Sequence, residues 1–139
     1  CQRLSDDLRR AGIRADCLHG DIKQATREKT MADFRHGKLP VLIATDVASR
    51  GIDVDDVDGV INYDVPEENE YYIHRIGRTG RARKKGISFT LLGSFPEKAK
   101  LDEIAKFAGF PIVPMIFDEY GCLMPAPAEE KHPTSRRRF

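Results

Sequence analysis

Val41-Leu42-Ile43-Ala44-Thr45-Asp46-Val47-Ala48-Ser49-Arg50-Gly51-Ile52-Asp53 changes character after its fourth residue. Four apolar residues without a polar break read as a strand of a parallel sheet covered on both faces. The switch to Thr, Asp, Ser and Arg marks where that strand ends. In open parallel sheets, ligands bind at the loops that leave the C-terminal ends of the strands. Residues 45–53 are therefore read as a ligand loop.

Apolar runs and helical spacings alternate on either side of this stretch. Upstream, Cys1, Leu4, Leu8 and Ala11 recur at helical spacing with Gly12 to end the helix, and Ile13 to Leu18 reads as a short strand. Asp21-x-x-Gln24 predicts an N-cap with a capping-box glutamine, for a helix that stops at Gly37. Downstream, Val60 to Asp64 is a strand closed off by Pro66, Glu68 to Ile76 a helix ending at Gly77, and Gly86 to Leu92 another strand. Ser94-x-Pro96-Glu97 opens a last helix with Leu101, Ile104 and Ala108 on one face before Gly109. This alternation predicts an α/β fold, an open and mostly parallel sheet flanked by helices in three layers. From Pro125 onward the chain offers Pro, Ala, Glu and Arg136-Arg137-Arg138 with nothing to bury. Residues 1–117 are expected to form the domain and residues 118–139 a disordered extension.

A chain of 139 residues with 40% hydrophobic content makes one domain with a core of its own. Its formal net charge is only +1, so any affinity for a polyanion has to come from a local patch. Cys1, Cys17 and Cys122 are odd in number and form no C-x-x-C pair, which argues against a disulfide framework or a zinc site and for a reducing cytoplasm. No apolar run approaches a membrane span. The opening at Cys1, without an initiator Met or a signal-peptide core, reads as a fragment of a soluble protein.

His74-Arg75-Ile76-Gly77-Arg78-Thr79-Gly80-Arg81 sets three arginines at three-residue intervals, with no acid inside the run. The planar guanidinium fork matches a phosphate face, which makes this run either a phosphate reader or a solvated basic loop continued by Arg83, Lys84 and Lys85. Taken with residues 44–53, it resembles motifs V and VI of the DEAD-box RNA helicases, and Gln24-x-x-Arg27 matches their Q-x-x-R motif. The resemblance extends from about Leu4 to Leu92 and implies the second, C-terminal RecA-like domain of that family. The first strand of that domain, with motif IV, has no counterpart here, so a gap or an exposed edge is expected in the sheet.

The resemblance also implies roles residue by residue. Arg78 and Arg81 correspond to arginine fingers that stabilise charge on the γ-phosphoryl group of ATP, and Asp53 to the aspartate at the ribose hydroxyl, with Gly51 letting the backbone approach. His74 and Arg75 would couple to the first domain. Gly20, Gln24, Arg27 and Thr45 would bind the RNA sugar-phosphate backbone. Read without the resemblance, Asp53 is a turn cap, Gln24 a capping-box residue, Arg27 a helix-surface arginine and His74 a structural histidine.

ATP with Mg2+ is the implied cofactor, the metal and the phosphate loop belonging to the first domain. This chain has no G-x-x-x-x-G-K-[ST], because Gly37-Lys38 is followed by Leu39 and has Ala32 where the first glycine should stand. The implied partners are RNA, bound with little sequence preference, and the first domain of the same protein. The implied activity is ATP hydrolysis coupled to local RNA unwinding by the full-length protein, with this fragment inactive alone. A DNA or DEAH-type helicase domain is disfavoured by His74, where such relatives commonly carry Gln. A nonenzymatic RNA- or protein-binding module on the same fold is the alternative from another class.

Overall fold

The computed structural model describes residues 1–50, 52, 54–80 and 84–128. Helix α1 (Gln2–Arg10) carries Arg9 and Arg10 in its last turn, where cations favour the helix dipole, and closes through Ala11 onto Gly12 at φ 84°. It is fastened to β1 (Ala15–Leu18) by polar bonds. The fully buried Ser5 hydroxyl donates to the Ala15 carbonyl at 3.2 Å, and Arg9 Nε donates to the same oxygen at 2.8 Å. Helix α2 (Gln24–Arg35) then crosses to β2 (Val41–Ala44), which pairs parallel with β1 from Ala15↔Val41 to Leu18↔Ala44. Leu18, Met31, Ala48 and Val54 form the core of this half, with Ile22 and Phe34 packed against it.

The start of α2 differs from the capping box expected at Asp21. Its N-cap is Lys23, which makes no side-chain cap bond. Residues 19–22 are drawn into a turn instead, the Ile22 N–H bonding the His19 carbonyl and the Asp21 N–H bonding His19 Nδ1. That turn seats Ile22 on the core and delays the helix by two residues, so Gln24 donates to Glu28 one turn along rather than to a cap.

After β2 the chain forms a one-turn helix, α3 (Asp46–Ser49). Strand β3 (Gly59–Asn62) follows, then helix α4 (Asn69–Ile76) and strand β4 (Ile87–Thr90), which pairs parallel with β3. Helix α5 (Phe95–Ala108) opens on Ser94, whose hydroxyl accepts from the Glu97 N–H, while Glu97 reaches back to the Gly93 N–H at 2.8 Å. Tyr72, Leu101 and Ile104 make the second core, between α4 and α5, with Val65, Ile73, Ile76 and Ile112 around it.

The parallel strands are flanked by helices as expected, but they form two hydrogen-bonded pairs, β1-β2 and β3-β4, rather than one continuous sheet. The expected gap therefore falls between β2 and β3. It explains a second difference: β2 is only half-buried, with Ala44 exposed, where cover on both faces was expected. Ile61 on the open β3 is 68% exposed.

The chain continues into an antiparallel hairpin of β5 (Met115–Phe117) and β6 (Leu123–Pro125). Asp118 Oδ1 accepts the N–H groups of Tyr120 and Cys122, and Gly121 at φ 77° completes the turn. The domain boundary expected after residue 117 falls inside this hairpin, whose second strand pairs with Met115–Phe117. Of the extension expected to be disordered, residues 129–139, with Arg136 to Arg138, lie outside the described residues. Among the described residues no helix is long and apolar enough to cross a membrane.

Candidate nucleotide and RNA site

Helix α3 is short, and three other elements hold it. Thr45 is its N-cap, the exposed hydroxyl accepting from the Ala48 N–H at 3.3 Å, while the Thr45 N–H bonds the Leu18 carbonyl. Arg27, on the first turn of α2, donates from Nη2 to the Ala48 carbonyl at 2.7 Å. Two of the expected RNA residues, Arg27 and Thr45, thus meet on one short helix. Gln24 is exposed on the same turn of α2 as Arg27, and Gly20 lies in the exposed turn before it, with no atom within 4 Å of where a Cβ would stand.

Helix α4 carries His74 and Arg75 in its last turn, then leads into Gly77, Arg78 and Thr79. His74 is exposed. Arg75 is only partly exposed. Its fork closes on Asp46, Nε to Oδ1 at 2.8 Å and Nη2 to Oδ2 at 2.7 Å, while Nη1 donates to the Asp64 carbonyl at 2.7 Å and to Asn62 Oδ1 at 3.4 Å. All three guanidinium nitrogens are engaged within the domain. Asp46 and the end of β3 thus supply the carboxylate and carbonyl that its donors need.

Arg78 Nη1 donates to the Ile52 carbonyl at 3.1 Å and lies 3.5 Å from Asp55 Oδ1. Next to it, the Thr79 hydroxyl donates to the Val57 carbonyl at 2.6 Å and the Val57 N–H returns to the Arg78 carbonyl, so the two loops are zipped in a parallel bridge. Lys84 pairs with Asp56 at 2.6 Å, and that hydrogen bond pushes the ammonium pKa upward. The basic run has no acid of its own, yet the fold brings Asp46, Asp55 and Asp56 to it. Gly51, Asp53 and Arg81, the other expected nucleotide residues, lie outside the described residues.

Several contributors escaped the sequence reading. Asp46 stands in the opening stretch but gains meaning only through Arg75. Asn62 is 2% exposed in an otherwise apolar strand, and a buried amide requires partners, which is a signal a sequence can carry. Arg50 hydrogen-bonds the Tyr71 hydroxyl and lies over the Tyr71 ring, its Cζ 4.9 Å from the centroid. No spacing rule predicts that pair. Among the described residues there is no group of three or more His, Cys, Asp or Glu able to hold a metal ion.

The profile of the helicase conserved C-terminal domain matches residues 1–83. The chain belongs to that helicase family. Its relatives place it in the DEAD-box branch. It is 46% identical over 118 residues to the probable ATP-dependent RNA helicase DDX17 of Mus musculus, an alignment covering 84% of this chain and 18% of that protein. It is 50% identical over 112 residues to the ATP-dependent RNA helicase FAL1 of Saccharomyces cerevisiae, covering 81% and 28%. Among solved structures, it matches the C-terminal domain of the DEAD-box protein Dbp5 with a TM-score of 0.73 at 38% identity, over 78% of this chain and 63% of that one. It also matches a DEAD-box protein from the hyperthermophile Methanococcus jannaschii with a TM-score of 0.72 at 45% identity, over 79% and 30%. The two parallel pairs with their helices are thus a C-terminal RecA-like domain of the DEAD-box type. The chain spans less than a third of the curated relatives it matches.

Proposed function

We propose that this domain serves the ATP hydrolysis and local duplex unwinding of a full-length RNA helicase, acting on ATP held by a preceding domain and on the RNA backbone. The observation that carries this reading is the bond from Arg78 to the carbonyl of Ile52, the residue between Gly51 and Asp53. It brings a guanidinium from one motif against the loop of the other. Arg78 and Arg81 would stabilise charge on the transferring γ-phosphoryl group, and Asp53 beside Gly51 would hold the ribose hydroxyl. Mg2+ and the phosphate loop belong to the preceding domain. His74, exposed at the end of α4, would hydrogen-bond across the interdomain cleft.

Gln24, Arg27, Thr45 and Gly20 form the RNA side of the proposal. As contacts to the sugar-phosphate backbone they would position the strand without reading its bases, so binding would carry little sequence preference. Three free thiols suit a reducing cytoplasm. The deciding experiment places Arg78→Lys in the full-length protein and measures turnover and RNA affinity separately. Lysine keeps the charge and loses the fork. Turnover should fall by about 10³-fold with RNA affinity little changed. A variant that keeps its turnover and loses RNA affinity would assign the arginine to nucleic-acid docking, and a wild-type protein with no ATPase would favour a nonenzymatic module.

A further inference from the structure

Arg75 spans the break in the sheet. Its fork holds Asp46, at the start of the helix that follows β2, and its third nitrogen holds Asn62 and Asp64, at the end of β3. No strand hydrogen bond joins β2 to β3, so this junction ties together the C-terminal ends of the two halves. Its two sides differ in rigidity. Asn62 is buried and its amide donates to Thr90 Oγ1 at 3.2 Å, while Thr90 Oγ1 is 3.3 Å from the Tyr72 hydroxyl on α4 itself. Asp46 sits on a single turn of helix with Thr45, exposed, as its cap.

The same turn belongs to a closed circuit of bonds. The Ser49 N–H bonds the Thr45 carbonyl, the Ile52 N–H bonds the Ser49 carbonyl, Arg78 Nη1 bonds the Ile52 carbonyl, and the Arg78 N–H bonds the carbonyl of Arg75. Arg75 then returns to Asp46. Any displacement of α3 reaches Arg78 by two routes, through the bond from Ile52 to Ser49 and through the Arg75 fork. A bidentate fork transmits orientation as well as position.

We propose that the Asp46–Arg75–Asn62 junction is a positioning device through which a phosphate seated at Thr45 sets the placement of Arg78. This rests on the RNA role of Thr45 and the ATP role of Arg78 proposed above. A phosphate at Thr45 accepts the hydroxyl proton while the same oxygen keeps accepting from the Ala48 N–H, so it pulls on the capped turn and shifts α3. Arg75 converts that shift into a movement of the last turn of α4, against the fixed anchor at Asn62. Asp46, Arg75 and Asn62 touch neither RNA nor nucleotide in this scheme.

The test uses the full-length helicase that carries this chain, with Asp46→Asn, Arg75→Lys and the double variant. Turnover is measured with and without saturating single-stranded RNA, alongside RNA affinity and thermal unfolding. The expected result is a ratio of RNA-stimulated to basal turnover at least about tenfold lower in each single variant, with RNA affinity retained. The double variant should be no worse than the more affected single, because the pair acts as one unit. A variant that folds, binds RNA and keeps its stimulation ratio would overturn the proposal while leaving the helicase reading intact. Additive losses in the double variant would overturn it as well. If Asp46→Asn fails to fold, Arg75→Lys carries the same expectation, and if neither folds the junction is structural and the proposal falls. A wild-type protein without RNA-stimulated turnover would overturn both readings together.

Discussion

A Cβ on Gly86 would stand 2.5 Å from the Gly80 nitrogen and 2.7 Å from the Thr79 methyl, closer than real Cβ atoms come. Two of the three nearest atoms are backbone, so little can yield. Gly80 itself sits at φ 71°, a conformation glycine adopts without strain. Gly86→Ala is expected to destabilise the chain by about 1–3 kcal/mol in a denaturant titration, by forcing the Arg78–Thr79 segment away from β4. In full-length protein the same variant should lower turnover without altering any ionisable group. Thr79→Val, which removes the hydroxyl that bonds the Val57 carbonyl, should cost about 1 kcal/mol by the same measurement.

Cys17 gives a residue-scale prediction with a pH sign. Burial, and then the nearby Asp16, pushes its thiol pKa above the ordinary 9.0, and the thiol donates to Gln2 Oε1. Below that ordinary value the group is neutral folded or unfolded, and above it the unfolded chain ionises first. Stability is therefore fully present at lower pH and declines as the solution passes through the alkaline range. Thiol alkylation at neutral pH should mark the exposed Cys1 and Cys122 quickly and Cys17 only as the chain unfolds. Equal labelling rates at the three positions would contradict this.

At the scale of elements, α5 shows what a sequence discloses when local chemistry decides. Ser94 as cap, Glu97 reaching back, Leu101 and Ile104 on the buried face and Gly109 at φ 75° were all legible, because each follows from neighbours within one or two turns. Ser94→Ala should lower stability by about 1 kcal/mol, read as a shift in the denaturation midpoint. Elements set by tertiary context were not legible in the same way. The start of α2 moved because Ile22 is drawn onto the core, and α3 is too short to leave a periodic signal. The β5-β6 hairpin escaped notice because its three-residue strands, Met115–Phe117 and Leu123–Pro125, carry apolar residues without alternation. At the candidate site, Thr45, Arg27 and Arg78 were named through the family resemblance. The partners of Arg27 and Arg78, which are Ala48, Ile52 and Asp55, lie too far away in sequence to be predicted.

For the whole molecule, charge is arranged locally. A net +1 provides no long-range attraction for RNA, so the RNA binding proposed above would depend on the few groups around Arg27 and Thr45. RNA affinity of the purified chain should fall steeply as salt rises and should differ little between unrelated single strands of equal length. The isolated chain should not hydrolyse ATP. A coupled phosphate-release assay with and without RNA would check that, and robust turnover would refute the two-domain reading.

The division of the strands into two parallel pairs also bears on how the molecule opens. Each pair has its own apolar cluster, Leu18 and Met31 on one side and Tyr72, Leu101 and Ile104 on the other. Among the described residues, the bonds that join them include those from Arg50, Arg75, Arg78 and Thr79. Breaking those bonds releases one half without dismantling the core of the other. Backbone amides of β1 and β2 should therefore exchange with deuterium at a rate distinct from those of β3 and β4, as two separate cooperative units. In Arg75→Ala the two rates should diverge further, since each half would then open independently of its neighbour.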